Sequence, residues 1–528
     1  MSDDASSAGP PAVRPELAEL RARLAATTDA GRPEAVDRRR RTGQRTAREN
    51  VADLVDEGSF IEYGALALAA QRTRHSVEEL TRLSPADGIV CGFGTVNGAR
   101  FGAERARAAV LAYDYTVFAG TQGLMGHRKL DRMIGLAASA RAPVVLFAEG
   151  GGGRPNDVDA PTVAGLDTPS FLAFASLSGL VPRVGVASGR CFAGNAALLG
   201  CCDVVIATED STIGMGGPAM IEGGGLGRFR PEEVGPIDVQ AKNGVVDVRA
   251  RDEAEAVAVA KKFLAYFQGD EADWTCADQA PLRDALPERR RRAYKIRPII
   301  DTLVDAGSAL ELRRDFGRSV VTCLARVEGR AVGVVANDPF YLGGAVDADA
   351  ADKAARFFQL CDAFGLPLVS LCDTPGFMVG PRAEATALVR HVSRMFAAAA
   401  GLSVPFFCVV LRKGYGLGAQ AMTGGHFHAP FFTVAWPTGE FGGMNLEGAV
   451  RLAARKELAA IEDPTAREQA LQGMVAVAYE RGKAINMASL LELDAVIDPA
   501  DTRAWLVRGL RSTPPPGPGR PRRFVDAW

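Results

Sequence analysis

The chain has 528 residues, several times the usual domain length, which predicts two to four domains with ample apolar core. Lys+Arg number 61 against 63 Asp+Glu, a net charge of −2, so no overall basic field points to nucleic acid and no acidic excess points to disorder. The nine cysteines form no C-x-x-C pair, and an odd number suits a reduced cytosol better than a disulfide framework or a zinc ribbon.

Met1 to Pro11 are rich in Ser, Ala, Asp and Pro without an apolar core, so no secretory signal is read there, and residues 1–37 are expected to be a flexible segment. After it the chain repeats itself. Leu54-Val-Asp-Glu-Gly-Ser59 answers to Leu303-Val-Asp-Ala-Gly-Ser308, and the hairpin rhythm of 88–98, closing on Asn97-Gly98, returns at 319–329, closing on Glu328-Gly329. Amphipathic helices are predicted over 127–140 and 351–364, each leading through a proline into an apolar strand, 143–148 and 367–372. Both strands end in an acid and a Gly-bearing loop, Glu149-Gly-Gly-Gly-Gly-Arg154 and Asp373-Thr-Pro-Gly-Phe-Met378. The next strand of each half runs into a second turn, at Gly189–Asn195 and Lys413–Ala419. The offset from Glu149 to Asp373 equals that from Gly194 to Gly418, so both loop pairs keep one spacing and we read a tandem duplication of parallel β/α layers.

The charged, aperiodic stretch 269–292 marks the seam, and its run Arg289–Arg292 suits a solvated linker or an anion contact. The boundaries predicted are 38–272 and 273–510, with a Pro-rich tail at 511–528 whose Phe524 and Trp528 are expected to dock on a partner or sister subunit. The longest apolar stretch, 396–411, is broken by Gly401 and Pro405 and falls short of the roughly 20 residues a membrane span requires.

A strand-to-helix turn leaves backbone N–H groups unpaired where the helix dipole favours negative charge, and glycine lets a ligand approach. Two such loops in one half can aim two donors at one oxygen, although each loop alone would serve equally as a plain tight turn. Glu149 and Asp373 at the strand ends either orient these loops or cap the helices that follow. His426 and His428, at i and i+2, have no evident third metal ligand, so no metal site is expected. Residues 222–230 form either a mobile segment over the site or a surface loop, and they lack the G-K-[ST] of a phosphate loop.

The stretch Gly189-Arg-Cys-Phe-Ala-Gly-Asn-Ala-Ala-Leu-Leu-Gly-Cys-Cys-Asp203 and the following Val204–Gly214 resemble the signature of the crotonase superfamily. With Asp114–Gly120, Gly151–Arg154, Leu286–Arg290, Asp373–Phe377, Lys413–Gly416 and Ala435–Thr438, the pattern over residues 38–510 is similar to the carboxyltransferase (β) subunits of biotin-dependent propionyl-, acetyl- and methylcrotonyl-CoA carboxylases. The resemblance implies an α/β fold of two tandem crotonase-like (ClpP/crotonase) β/α superhelical domains. It implies an acyl-CoA thioester in the first half, its oxygen held as an enolate by the amides of Ala193 and Gly194 beside Gly151 and Gly152, with Arg154 contacting CoA. Carboxybiotin would enter the second half, met by the Leu417 and Gly418 amides and by Phe377, Tyr415, Gly416 and Gln420. It further implies a separate biotin carboxylase/biotin carboxyl carrier (α) subunit, since the chain has no Met-Lys-Met acceptor, and a cytoplasmic homo-hexamer built as a trimer of dimers.

Hydratases of the superfamily carry glutamates at the positions of Ala197 and Gly217, so hydration is disfavoured. Leu417, Gln420 and Asn195 depart from the family pattern and leave the acyl substrate open. A biotin-dependent decarboxylase or transcarboxylase subunit, and a catalytically silent assembly partner, stand as alternatives.

Overall fold

The structure is a computed structural model that describes residues 13–157, 166–513 and 522–528. The repeat read from the sequence becomes two sheets of matching topology. In the first, the order is β1 (Ile61–Glu62), β2 (Ile89–Thr95), β3 (Arg107–Tyr113), β4 (Val144–Phe147), β5 (Arg183–Ala187), β7 (Val204–Thr208) and β9 (Val248–Ala250), with β6 (Arg190–Phe192) and β8 (Thr212–Gly214) paired apart. In the second it is β10 (Leu310–Leu312), β11 (Val320–Val327), β12 (Arg330–Asn337), β13 (Leu368–Thr374), β14 (Phe406–Tyr415), β15 (Phe432–Ala435) and β17 (Ala495–Val496), with β16 (Glu440–Gly442) beside β14. Each sheet begins antiparallel and turns parallel at its third strand. Ala109 pairs with Val144 and Gly333 with Leu368, the same register displaced by the spacing that separates the loop pairs.

Both faces of each parallel region are covered, which is why these strands read as continuous apolar runs. Val110, Val145, Val184 and Val335 face a core shared by the two sheets, to which helices Glu253–Ala265 and Ala348–Phe364 contribute. Ala109, Leu111 and Leu146 pack the other way, against helix Leu124–Ala140. Val321, Val369 and Val409 do the same in the second half.

Two differences from the sequence expectation concern the ends. Residues before 38, read as flexible, contribute helices Pro15–Ala25 and Pro33–Arg40, each begun by a proline at its first position, while Met1–Pro11 lie outside the described residues. The second of these helices is held by tertiary pairs, Arg32 to Asp114 at 2.8 Å and Arg39 to Glu149 at 2.5 Å, which no local periodicity announces. Trp528 packs on its own chain: its ring meets Phe316 edge-on at 5.4 Å, and its indole N–H donates to Asp352 at 2.8 Å.

Lys353 is fully buried in helix Ala348–Phe364, with Nζ donating to the Phe316 carbonyl at 3.0 Å. Burial drives its amine down from 10.5 to about 7, and the cations Arg297 and Arg313 add to the effect. The unfolded chain therefore binds the extra proton between those two values, and stability rises with pH across that window. Lys353→Met is expected to be more stable than the native chain at pH 7, with the advantage shrinking towards pH 10. Unfolding at pH 7, 8.5 and 10 measures this, and a constant difference across the series would rule it out.

Candidate active site: two backbone turn pairs

At the end of β4 the chain passes through Glu149 into four glycines, and Gly150 and Gly152 have φ of 154° and 86°. Gly150 donates to the Arg190 carbonyl at 2.8 Å and accepts from Phe192 N–H at 2.9 Å, which stitches this loop to the turn after β6. There Ala193 stands at φ 52°, ψ −121°, a costly region for a residue with a side chain, and helix Gly194–Gly200 begins. A Cβ on Gly152 would stand 2.6 Å from that of Ala193, so the two turns meet backbone to backbone.

The hydrogen bonds decide which amides remain. Ala193 N–H donates to the Gly214 carbonyl at 3.0 Å, and Gly152 N–H to Asn195 Oδ1 at 3.0 Å. Both are spent, contrary to the pairing expected for Ala193 with Gly194. The N–H groups of Gly151, Gly153 and Gly194 have no partner among the described residues, so both loops contribute unspent donors. The reason is tertiary: β8 lies beside β6 and supplies the Gly214 carbonyl.

The second half repeats the bonds that hold these loops, although the repeat places Pro375, which has no N–H, where the first half has Gly151. Gln122 N–H donates to the Gly152 carbonyl at 2.7 Å and Arg154 N–H to the Gln122 carbonyl at 2.8 Å. Val346 N–H to Gly376 at 3.1 Å and Met378 N–H to Val346 at 2.9 Å are the same two bonds at the positions the repeat assigns them. A Cβ on Gly418 would stand 2.6 Å from Gly376 Cα and 2.9 Å from Phe377 N. Phe377 N–H has no partner among the described residues, and Leu417 and Gly418 lie in the first turn of helix Gly416–Met422, where N–H groups lack intrahelical acceptors. The two turn pairs stand on different sheets.

The acids at the strand ends brace the loops and cap no helix. Glu149 takes Arg39 in two bonds of 2.7 and 2.5 Å; burial pushes its carboxyl up, to about 7, against the pull of that guanidinium. Asp373, fully buried, accepts from Tyr294 Oη at 2.8 Å and Lys413 N–H at 3.1 Å, with Arg412 at 3.2 Å.

Two side chains expected to touch ligand are turned inward. Arg154, its side chain 4% exposed, spends its guanidinium on Asp87 at 2.6 Å and Asp157 at 2.8 Å and stacks over Phe118, leaving nothing for a CoA phosphate. Tyr415 is buried and donates to Glu440 Oε1 at 2.8 Å, so only its backbone borders the turn. Phe377 packs edge-on to Phe396 at 6.2 Å, Gln420 is half-buried, and the Leu417 side chain is 61% exposed. Position 416 calls for glycine twice over, by its φ of 57° and because a Cβ there would stand 2.7 Å from the Gly443 carbonyl oxygen. Sequence reasoning missed Gln122, a buried side chain that overlies Gly194 and donates from Nε2 to Tyr113 Oη at 2.9 Å; it lies just past the Asp114–Gly120 motif. No cluster of three metal-ligating side chains occurs among the described residues, and His426 Nδ1 only accepts from His428 N–H at 3.2 Å. At Ala197 and Gly217 there is no carboxylate, and Gly217 packs on the Phe192 ring.

Residues 38–513 match the description Carboxyl transferase domain. The chain belongs to this family. The carboxyltransferase is 32% identical over 515 residues, 94% of each chain, to the biotin-dependent long chain acyl-coenzyme A carboxylase beta4 subunit of Mycobacterium tuberculosis. Among solved structures it is 58% identical, with a TM-score of 0.90, to a single-chain, multi-domain long-chain acyl-CoA carboxylase; the match covers 94% of this chain and 49% of that one. It is 29% identical, with a TM-score of 0.83 over 97% of this chain and 99% of the other, to a transcarboxylase 12S structure described as a hexamer that binds methylmalonyl-CoA. The fold is thus that of crotonase-type carboxyltransferase domains, and the activity is carboxyl transfer to acyl-CoA. No helix among the described residues is long and apolar enough to cross a membrane.

Proposed function

We propose that this carboxyltransferase moves a carboxyl group from carboxybiotin to the α-carbon, or vinylogous γ-carbon, of a long-chain acyl-CoA. The observation that carries the reading is the duplicated pair of facing turns, each with unspent backbone N–H groups. In the first half Gly151 and Gly194 take the thioester oxygen as it gains charge on loss of the α-proton. In the second half Phe377, Leu417 and Gly418 take the ureido oxygen. Donors fixed in a dry backbone need no reorganisation as charge develops, and each contributes about 10²- to 10³-fold. When bound, carboxybiotin supplies both the CO2 and, once it has released it, the base. That fits a first-half site in which Ala197 and Gly217 replace acid–base side chains.

The long-chain preference rests on the relative at 58% identity and on exposed apolar side chains flanking the Gly194 region, Leu172 at 77%, Met215 at 71% and Met220 at 65%. Assignment of residues 38–272 to the acyl side and 273–510 to the biotin side belongs to the same proposal. So do a biotin carboxylase/carrier partner, separate or fused, a hexamer as in the 12S relative, and a cytoplasmic setting. The test is ATP- and bicarbonate-dependent carboxylation by the reconstituted complex with acetyl-, propionyl-, butyryl- and palmitoyl-CoA. Palmitoyl-CoA is expected to show the highest kcat/KM. Likeness to the 12S subunit favours transcarboxylation as the second reading: if no acyl-CoA accepts carboxyl yet methylmalonyl-CoA gives it up, that direction replaces ours.

A further inference from the structure

Asn195 follows the Gly194 turn directly, in the first turn of helix Gly194–Gly200, and its side chain is fully buried. A primary amide offers one acceptor oxygen and two N–H donors, and here all are used. Oδ1 accepts from Gly152 N–H at 3.0 Å, while Nδ2 donates to the carbonyls of Gly120 and Glu149, each at 3.3 Å. One side chain thereby ties the acid loop, the Gly120 turn and the helix bearing Gly194 together. It also spends the Gly152 N–H and leaves those of its neighbours Gly151 and Gly194 unspent.

The second half holds the corresponding loops with other side chains. The repeat places Ala419 where the first half has Asn195, and alanine has no amide side chain. There Asn337, at the end of β12, accepts from Asp373 N–H at 3.1 Å and donates to the Gly344 carbonyl at 3.3 Å. By the same spacing Asp373 and Gly344 are the counterparts of Glu149 and Gly120. The counterpart of Gly152, Gly376, gives its N–H to Thr374 Oγ1 at 3.2 Å, so in both halves a side-chain oxygen spends this loop donor.

We infer that Asn195 is the positioning residue of the acyl-side oxyanion site, selecting the Gly151 and Gly194 N–H groups as the pair that faces the thioester oxygen. The inference rests on the oxyanion reading of that turn pair. Asn195 touches no reacting atom; it acts through the two loops.

The deciding variant is Asn195→Asp in the reconstituted complex with palmitoyl-CoA, beside Asn195→Ala. A protonated Asp keeps an acceptor for Gly152 and a single O–H donor for one of the two carbonyls; an ionised one loses that donor and faces both carbonyls with a charge. Burial without a cationic partner raises the pKa of such a carboxyl. Asn195→Asp is therefore expected to approach native kcat near pH 6 and to lose about 10²-fold as pH rises to 9, relative to the native enzyme at each pH. Asn195→Ala is expected to lose about 10²-fold at every pH, and KM for acyl-CoA should stay within about twofold in both, as befits a contact realised only in the transition state. Size-exclusion and melting curves check assembly. If the Ala variant fails to assemble, the pH profile of the Asp variant decides alone; if both fail, Asn195 is a folding residue and the inference falls. It falls as well if kcat of both variants tracks the native enzyme at all pH values, or if KM rises with kcat preserved. Absence of turnover by the native complex with any acyl-CoA would instead sink the proposed reaction.

Discussion

Gly194→Pro is expected to abolish carboxyl transfer while the oligomer persists. Gly194 is the first residue of its helix, the position where proline is best tolerated because its N–H has no intrahelical acceptor. By the proposed function that same N–H is the donor for the thioester oxygen, so the substitution removes the chemistry while sparing the helix. The natural control is Gly194→Ala. Its added Cβ meets the end of the Gln122 side chain, which can rotate away, and the Phe171 ring at 3.2 Å. Alanine thus brings bulk and keeps the donor. We expect Gly194→Ala to retain activity within about tenfold and Gly194→Pro to lose at least about 10²- to 10³-fold in kcat. Equal activity of the two variants would remove Gly194 N–H from the mechanism.

Gly418→Ala, the matching change in the second half, is expected to fail where Gly194→Ala survives. Its Cβ would stand 2.6 Å from both Cα and C of Gly376 and 2.9 Å from Phe377 N, all backbone. No rotamer relieves that overlap, so the turns must separate, at a cost of about 1–3 kcal/mol and with the Phe377 donor displaced. Carboxyl transfer should fall about 10²-fold. The proposed acyl site lies on the other sheet, so Kd for acyl-CoA, measured by calorimetry, should change by less than about twofold. Native turnover in this variant, or weakened acyl-CoA binding, would contradict the division of labour between the halves.

Much of this was legible beforehand, for reasons particular residues make plain. Strands covered on both faces read as unbroken apolar runs, so 143–148 and 367–372 are visible without a structure. The repeat was visible because duplication preserves spacing even where residues diverge, as at Asn195 and Ala419. Arg154 shows what was hidden. An arginine in a glycine-rich loop looks the same whether it reaches for a phosphate or for Asp87 and Asp157, and Asp87 lies far back in the chain, before β2. Tyr415 misled similarly, because a tyrosine at a turn is read as a ligand contact unless Glu440 is known to take its hydroxyl.

The sequence by itself determined the duplication, the strand and turn order, and the placing of glycine where two backbones must touch, since these follow from local periodicity and from the absence of a Cβ. The tertiary structure alone decided which amides are free. Ala193 N–H is consumed by Gly214 on β8 and Gly152 N–H by Asn195, while those of Gly151, Gly153 and Gly194 have no partner among the described residues. A backbone donor carries no residue code. Whether it is spent depends on which carbonyl or side chain the fold brings within about 3 Å of it, and that is a long-range fact.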